Sequence, residues 1–392
     1  TVSRGRVGSR RASFFLLSSG FSYCPPAWRV LFCPSYCLHL RIYLPEEAPV
    51  ALIPFFKPTL RRKDMDAVLQ TMVDERIGPG DRKNEFLRQF CALIGAKGGF
   101  ALRSYVDTLR IALQACNLAP GAKVGVSVLS PAVYQWIADQ LGLVLVLGDI
   151  DSEHGCLSQQ EALRLTEEGC AALLVHEPMC QIPYGCDYRQ FGRPVIEDCS
   201  QSLGSRYEEV SAGSFGDLVV CAFEEDGVVS TAGGAALVYT DEKWHTIVDD
   251  QLGTSRTYSE LPDMNAALGI IQLATLEEQL AKRREFYTLF SKALLKTPNK
   301  LYGIGNIDFL SNGFGFCTVL DSRAEDAIKF ANKYQVSAKK TFATSLATEH
   351  SDRFDLFPNA LPPFLRAISL PIYPFLKQSD VELLMKVISH LS

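Results

Sequence analysis

The sequence predicts an α/β protein with a wound, mixed or mainly parallel sheet, and three observations support this fold class. Short buried strands alternate with helical segments between residues 124 and 239, which is typical of a parallel sheet covered by helices. Hydrophobic residues make up 47% of the 392 residues, enough for a buried core in each of two domains. After residue 251 the pattern changes to a long amphipathic helix, so a second, smaller α+β domain is expected.

The elements of the larger part follow in a regular order. The first helix carries Met65, Val68, Leu69 and Met72 on one face, and this face is expected to dock on the rest of the protein. The elements predicted after it are helix 85–94, a strand-to-helix passage ending in helix 108–115, strand 124–129, helix 132–141, strand 143–147, helix 159–166, and strands 171–176, 194–198, 218–223 and 235–239.

A long helix over residues 263–296 is predicted to follow. Its apolar face is formed by four side chains, and the basic run after them is expected to be exposed: Ile270, Leu273, Leu276 and Leu280, then Lys282-Arg283-Arg284. We therefore divide the chain into an extension at 1–49, a large domain at 50–252, and the linking helix with a small domain at 253–392.

The first 49 residues differ from the rest. They contain six arginines before the first acidic residue, Glu46, and also Cys24, Cys33 and Cys37. We interpret this segment as an extension outside the fold, arising from a misplaced start. A targeting signal is the alternative, because Arg10 and Arg11 precede a short apolar stretch.

Composition excludes several classes of protein. A net charge of −5 without a large basic patch argues against a nucleic-acid binder, and a small-molecule or protein partner fits better. The twelve cysteines form no CxxC pair and the histidines are scattered, so no zinc site is predicted and reduced, cytoplasmic thiols are expected. No run of about eighteen uncharged apolar residues predicts a membrane span.

Several motifs occur together in a characteristic order. They are Pro194–Gly204 (PVIEDCSQSLG), Ser214–Asp217 (SFGD), Thr231–Ala236 (TAGGAA), Ala266–Leu273 (AALGIIQL) and Ser369–Pro374 (SLPIYP). Over residues 53–391 the chain resembles the DegT/DnrJ/StrS family of sugar aminotransferases, which depend on pyridoxal phosphate (PLP). The resemblance implies the fold type I architecture of PLP-dependent transferases and a role in nucleotide-sugar or cell-surface polysaccharide biosynthesis. It also implies a homodimer, or a heterodimer with a homologue, and a nucleotide-sugar ligand.

The resemblance also implies which residues would hold PLP. The cofactor acts as an electron sink when a carboxylate holds its protonated pyridine nitrogen, and Asp198 matches that carboxylate. Gln201 matches the residue near the phenolic oxygen, and Ser104 matches the first residue of a Ser-Gly-Thr phosphate site. Without the resemblance, Asp198 would be interpreted as a strand-end cap and Gln201 as an ordinary solvated glutamine.

The position of the family's lysine is occupied by Gly227 in an ungapped match that follows Phe223. Transamination uses the lysine amine as nucleophile and as proton carrier, and glycine supplies neither function. Family members that dehydrate sugars carry histidine there, so glycine does not match that variant either. No lysine occurs between Lys123 and Lys243.

The phosphate site departs from the family pattern as well. Tyr105 and Val106 replace the glycine and threonine, Ala222 replaces a serine, and Tyr258 replaces an asparagine that reaches into the neighbouring subunit. The run at residues 224–226 (EED) adds three carboxylates that would repel a phosphate, but we interpret it as a solvated acidic turn.

Three hypotheses about function remain. The first is a pseudoenzyme that acts as a binding or partner protein. The second is an active PLP- or PMP-dependent sugar aminotransferase that uses another lysine, such as Lys243 or one from another chain. The third is a different enzyme on the same scaffold, with Cys199, Cys221 or His176 as candidate groups.

Overall fold

A mixed β-sheet forms the centre of the structure. The computed structural model describes residues 53–305 and 308–391, so the predicted extension 1–49 lies outside the described residues. In chain order the strands are β1 (Gly98–Leu102), β2 (Lys123–Ser127), β3 (Val144–Gly148), β4 (Cys170–His176), β5 (Val195–Asp198), β6 (Arg206–Tyr207), β7 (Val210–Ser211), β8 (Leu218–Ala222), β9 (Ala235–Tyr239), β10 (Lys300–Leu301), β11 (Phe309–Leu310), β12 (Phe316–Val319), β13 (Lys339–Lys340) and β14 (Ala367–Leu370).

The helices agree with the periodicity of the sequence over most of the chain. In chain order they are α1 (Arg62–Val73), α2 (Asp81–Ile94), α3 (Tyr105–Ala115), α4 (Val133–Leu141), α5 (Gln159–Glu167), α6 (Lys243–Leu252), α7 (Arg256–Ser259), α8 (Asp263–Ala274), α9 (Leu276–Leu294), α10 (Ala324–Lys333), α11 (Leu361–Arg366) and α12 (Gln378–Ile388). In the described ranges, none of the helices has both the length and the apolar character needed to cross a membrane.

The large sheet has the strand order β1-β9-β8-β5-β4-β2-β3. Five of these strands run parallel to one another, namely β8, β5, β4, β2 and β3. Strand β9 runs antiparallel to both of its neighbours, β8 and β1. Parallel pairing brings the carboxyl ends of β4, β5 and β8 to one edge of the sheet. In an open α/β sheet, this edge is where ligands bind.

Two hydrophobic cores lie on the two faces of the large sheet. One is built with residues of α3, α4 and α6, and the other with residues of α2, α5 and α8. Covering both faces explains why the strands read as continuous apolar runs in the sequence. The predicted α/β class is therefore confirmed.

A second sheet lies in the C-terminal part, with the order β10-β12-β14-β13. Its core includes apolar side chains of α9, α10 and α12. A short third sheet has the order β11-β6-β7 and joins residues of the two parts of the chain. The described residues form one compact unit, so the boundary between 252 and 253 stays a prediction.

The predicted helix 263–296 is interrupted. Thr275 has φ −112° and ψ 6°, which separates α8 from α9. Arg283 was expected to be exposed, but it is buried, and its Nη1 atom donates to the carbonyl oxygens of Gly313 and Ile372 at 2.8 and 3.0 Å. That expectation was wrong because a long side chain within the apolar face of α9 finds backbone acceptors inside the protein.

The prediction that α1 docks on the rest of the chain through its apolar face was also wrong. Met65, Leu69 and Met72 are each more than half exposed. The helix instead buries Asp64 and Thr71, and Gln272 of α8 donates to the Asp64 carboxylate at 2.8 Å. A hydrogen-bonded polar face thus packs inward, which periodicity of apolar residues alone does not reveal.

Candidate functional site

The candidate site lies at the carboxyl edge of the large sheet. His176 ends β4, Asp198 ends β5 and Ala222 ends β8, and His176 is the register partner of Asp198. A cavity of about 220 Å³ opens there, and Gln201 and Gly227 also line it. The structure therefore brings Asp198, Gln201 and Gly227 together at one cavity, while the cofactor-binding roles that the resemblance implies for Asp198 and Gln201 stay predictions.

Asp198 is fully buried and every described contact of its carboxylate is internal. The hydroxyls of Tyr105 and Tyr134 both donate to Oδ2 at 2.5 Å, and the Ser200 backbone N–H and hydroxyl donate to Oδ1 at 3.1 and 2.5 Å. His176 Nδ1 lies 3.7 Å from Oδ2, which is an electrostatic contact and too long for a hydrogen bond.

These neighbours fix the ionisation of the group. Burial alone would raise the pKa of Asp198, but the His176 ring and the hydroxyls of Ser200 and Tyr105 stabilise the carboxylate and lower its pKa to about 2. Burial and the Asp198 charge raise the pKa values of Tyr105 and Tyr134 well above the ordinary value. Both phenols are therefore protonated donors to an ionised acceptor.

Tyr105 reaches Asp198 because it is the first residue of α3, which starts at the same edge of the sheet. Ser104 precedes it as the N-cap, and its hydroxyl accepts from the Asp107 backbone N–H at 3.2 Å. This is the usual role of a serine at a helix start. Ser104 is not among the residues that line the cavity.

Gln201 lines the cavity, but its oxygen is already engaged. Oε1 accepts from the Met179 backbone N–H at 2.9 Å, so the amide NH2 group is the part of the side chain that remains available as a donor. The role that the resemblance implies for Gln201, a hydrogen bond to the phenolic oxygen of the cofactor, stays a prediction.

Gly227 lies in a turn whose backbone leaves no room for a side chain. A Cβ atom built there would be 2.7 Å from the Val229 carbonyl oxygen and 3.1 Å from the Glu224 carbonyl oxygen. Real Cβ atoms do not approach backbone oxygens as closely as the first of these distances. A lysine at this position would therefore require the turn to change its conformation.

Lys243 does not lie near the cavity. It begins α6 after the carboxyl end of β9, and antiparallel pairing places Tyr239 opposite Leu218, at the start of β8. The length of a five-residue strand, roughly 13 Å, separates that edge from the end of β8. The ammonium group of Lys243 instead pairs with Asp241 at 3.4 Å, so this residue does not supply the missing amine.

The other positions that depart from the family pattern are also visible. Ala222 donates its backbone N–H to the Ser200 hydroxyl at 2.8 Å, and it brings no hydroxyl of its own to the edge. Tyr258, on α7, is 81% exposed. A tyrosine that projects from one chain in this way does not contribute to the cavity of the same chain.

The two candidate thiols, Cys199 and Cys221, do not pair with a histidine as a nucleophile would. Cys199 and Cys221 are buried, and their mutual contact together with burial raises the pKa of Cys199 well above the ordinary value. His176 faces Asp198 instead of a thiol. Among the described residues, no group of three or more histidine, cysteine, aspartate or glutamate side chains could hold a metal ion.

A model of the DegT/DnrJ/EryC1/StrS aminotransferase family matches residues 58–389, which include every site residue described above. The chain belongs to this family. The match spans most of the chain and includes both the large sheet and the C-terminal sheet. The resemblance inferred from the motifs is therefore confirmed, together with the fold type I architecture.

Individual relatives are distant, and each matches well over half of this chain. The spore coat polysaccharide biosynthesis protein SpsC of Bacillus subtilis (strain 168) is 21% identical over 378 residues, covering 84% of this chain and 94% of SpsC. The UDP-4-amino-4,6-dideoxy-N-acetyl-beta-L-altrosamine transaminase of Campylobacter jejuni is 25% identical over 270 residues, covering 62% of this chain and 70% of the transaminase.

A solved structure shows the same fold. A sugar aminotransferase of Streptococcus pneumoniae in its PLP form superposes with a TM-score of 0.77 at 17% identity, covering 86% of this chain and 98% of the aminotransferase. PLP-dependent proteins are thus among the relatives of this chain.

The described residues do not fit PLP in the way the family motif implies. A pyridine nitrogen would need an Asp198 oxygen, but two phenols already occupy Oδ2 and Ser200 occupies Oδ1. The cavity is lined by no lysine of the described chain, and the turn at Gly227 has no space for one. No reaction step through PLP is therefore derived from this site.

Sequence reasoning identified Tyr105 only as the loss of a phosphate-binding glycine. It did not anticipate that the Tyr105 hydroxyl would bind Asp198, or that Tyr134 and Ser200 would complete the shell. A signal was present in the sequence, because two tyrosines follow the two strand-to-helix junctions that precede α3 and α4. Their convergence on one carboxylate depends on the tertiary fold.

Proposed function

We propose that this protein is a catalytically inactive member of its family that acts as a binding or partner protein in sugar or cell-surface polysaccharide biosynthesis. The observation that carries the proposal is Gly227, which stands where the family has its lysine and lies in a turn without space for a side chain. The name of the relative SpsC supports the biosynthetic setting.

The chemical reason is the double role of the missing amine. It forms the Schiff base that holds PLP, and it carries the proton between two carbons during transamination. The groups around this cavity do not replace it. His176 faces Asp198, and the carboxyl groups of Glu224 and Asp226 cannot form a Schiff base.

A second line of support is the internal shell around Asp198. In the proposed inactive protein, this carboxylate stabilises the fold by accepting hydrogen bonds from Tyr105, Tyr134 and Ser200. Hydrogen bonds to a charged group contribute about 1.5–3 kcal/mol each, so a cofactor would have to displace a favourable contact before it could bind.

The test is the visible absorption spectrum of the purified full-length protein with added PLP, followed by borohydride reduction and peptide mapping. The proposal expects no aldimine band and no modified lysine, while the circular dichroism spectrum shows an intact fold. A stable band with one lysine trapped would contradict the proposal. Peptide mapping would then identify that lysine, including one from a partner chain.

We further propose that the protein dimerises, with itself or with a homologue, through the apolar face of α1. Met65, Leu69 and Met72 are exposed on this helix, and Val73 at its end and Ile77 after it are exposed as well. Contiguous exposed apolar patches on soluble proteins commonly mark interaction sites.

Light scattering after size exclusion tests this interface. Leu69→Glu should convert a dimer to a monomer, because a carboxylate would be buried without a partner. Leu295→Glu is the matched control, since Leu295 is also exposed but lies at the end of α9. A wild-type monomer at all concentrations, or equal effects of both variants, would contradict the α1 interface.

A further inference from the structure

Strand β3 forms one edge of the large sheet, and its outer side is open. Among the described strands it pairs only with β2, and its sequence, VLVLG, contains neither a charged residue nor a proline. Edge strands of soluble proteins are commonly protected by such residues, because a free edge pairs readily with another extended chain. The outer side of β3 is therefore able to accept a further strand.

The backbone of β3 directs the hydrogen-bonding groups of alternate residues to this open side. The Val144 backbone N–H donates to the Ala122 carbonyl oxygen at 3.0 Å, so Val144 faces β2 and the next residue, Leu145, faces away from it. Leu147 also faces away, and its carbonyl oxygen accepts from Arg164 Nη2 at 2.9 Å. No described residue bonds to the N–H or the carbonyl group of Leu145, or to the N–H of Leu147. An added strand would satisfy these groups.

A cavity of about 570 Å³ lies along the free edge, and we call it the β3 groove. Residues 145–147 of β3 line it, and its other lining residues come from α4, from α5 with its C-cap, and from the segment 350–357. Pockets that bind small ligands measure roughly 300–1,000 Å³. Leu356 is 52% exposed and lines the groove, so an apolar side chain of an incoming strand has a surface to pack against.

The charges of the groove favour one kind of incoming side chain. The two acidic lining residues, Glu161 and Glu168, both pair with Arg164, at 2.7 and 2.5 Å. Arg353 also lines the groove, and it forms no ion pair with any described residue. An acidic side chain on the incoming strand is therefore complementary to Arg353.

We propose that the β3 groove binds an extended peptide segment of a partner protein, which adds a strand to β3 and places an acidic side chain against Arg353. The inference rests on the proposed function, because it assigns a surface to the partner-binding role, and it does not involve the cavity at Asp198. In this mode of recognition, main-chain hydrogen bonds supply affinity and side-chain contacts supply specificity.

The experiment uses the full-length protein and pentapeptides with blocked ends as probes. Isothermal titration calorimetry, or ligand-observed NMR for weak binding, compares the peptides TVEVT, TVQVT and TVKVT. One unit charge pair at about 4 Å in water changes an affinity roughly fivefold. TVEVT should therefore bind roughly fivefold more tightly than TVQVT, and TVKVT should bind most weakly.

Methylation of the peptide backbone tests the strand addition itself. Alternate residues of a strand direct their N–H groups to opposite sides, so only one alternating set of peptide N–H groups faces β3. One form of TVEVT is N-methylated at both valines, and a second form is N-methylated at the glutamate and the last threonine. One of the two forms should lose binding and the other should keep it, and equal binding by both forms would overturn the inference.

Two protein variants locate the charge contact. Arg353→Gln should weaken TVEVT binding roughly fivefold and leave TVQVT binding unchanged. Arg323→Gln is the matched control, because Arg323 is an exposed arginine of the C-terminal part that does not line the groove. It should change neither affinity.

No binding of TVEVT at millimolar concentration, equal affinities for the three peptides, or equal effects of the two variants would overturn the inference. Light scattering examines the other occupant, since a dimer that dissociates in Arg353→Gln would place a second copy in the groove and would also overturn it. An aldimine band in the PLP experiment would instead contradict the proposed function, and the peptide titrations would still report on the β3 groove.

Discussion

Replacing Tyr105 by phenylalanine tests the shell around Asp198 most directly. The substitution removes one hydroxyl that donates to Oδ2 at 2.5 Å and keeps the ring that lines the cavity. A hydrogen bond to a charged acceptor contributes about 1.5–3 kcal/mol, so we expect the free energy of unfolding to fall by about 2 kcal/mol at pH 7.

This loss translates into a measurable change in melting temperature. An unfolding entropy of about 2.1 cal/mol/K per residue gives about 0.7 kcal/mol/K for the roughly 340 residues from Pro49 to Ser392. A loss of 2 kcal/mol therefore corresponds to about 3 °C. Differential scanning calorimetry and urea unfolding both resolve a change of this size.

The loss should also depend on pH in a defined direction. The folded pKa of Asp198 is lowered to about 2, below the unfolded value of about 3.9. The stabilisation of the carboxylate is present above the unfolded pKa and disappears as the pH falls through the folded pKa. The difference between wild type and Tyr105→Phe should thus be constant from pH 8 to about pH 5 and shrink below about pH 4.

Tyr188→Phe is the matched control for this experiment. Tyr188 is also buried, but its hydroxyl donates to a neutral acceptor, the Leu157 carbonyl oxygen, at 2.5 Å. Removing this hydroxyl should lower the free energy of unfolding by only about 1 kcal/mol, and the decrease should stay the same at acidic pH. If Tyr105→Phe costs no more than Tyr188→Phe and shows no pH dependence, then the phenol does not stabilise an ionised Asp198 and the account of the site is wrong.

Two further predictions concern the turn at Gly227 and the carboxyl groups of Glu177 and Glu197, which are both fully buried. Gly227→Ala should destabilise the fold by about 1–3 kcal/mol in urea unfolding, because the new methyl group meets the Val229 carbonyl oxygen at 2.7 Å. Gly78→Ala, with nothing within 4 Å, should cost nothing, and equal effects would contradict the crowding argument. Burial and the Glu197 charge raise the pKa of Glu177 well above its ordinary value. The contribution of Glu177 to the free energy of unfolding is therefore present below the unfolded pKa, and it is lost as the pH rises from there toward the folded pKa. Glu177→Gln should therefore gain stability relative to wild type as urea unfolding is repeated from pH 5 to pH 9, and a difference that does not change with pH would contradict a raised pKa.

Much of the fold could be predicted from the sequence because its signals are local or periodic. Strand 235–239 was predicted with the bounds it has, and helix 159–166 differs by one residue. Buried parallel strands need continuous apolar runs, and helices between them need one apolar face, so both leave a direct trace in residue order.

Predictions about which face of a helix points into the protein were wrong in two helices, α1 and α9. Arg283 was expected at the surface and α1 was expected to dock through its methionines, yet hydrogen-bonded polar groups are buried in both cases. A polar side chain can be buried when a distant residue satisfies it, and the sequence does not show which distant residue will do so.

The sequence by itself determined the family, the α/β order of the chain and the absence of a lysine at position 227. Only the tertiary structure decided that Lys243 lies at the wrong edge of the sheet, because strand direction reverses at β9. It also decided that Tyr105 closes onto Asp198, a contact between residues 93 positions apart. Composition and spacing specify which groups are present, but the positions of their atoms relative to one another follow from strand order and packing across the whole fold.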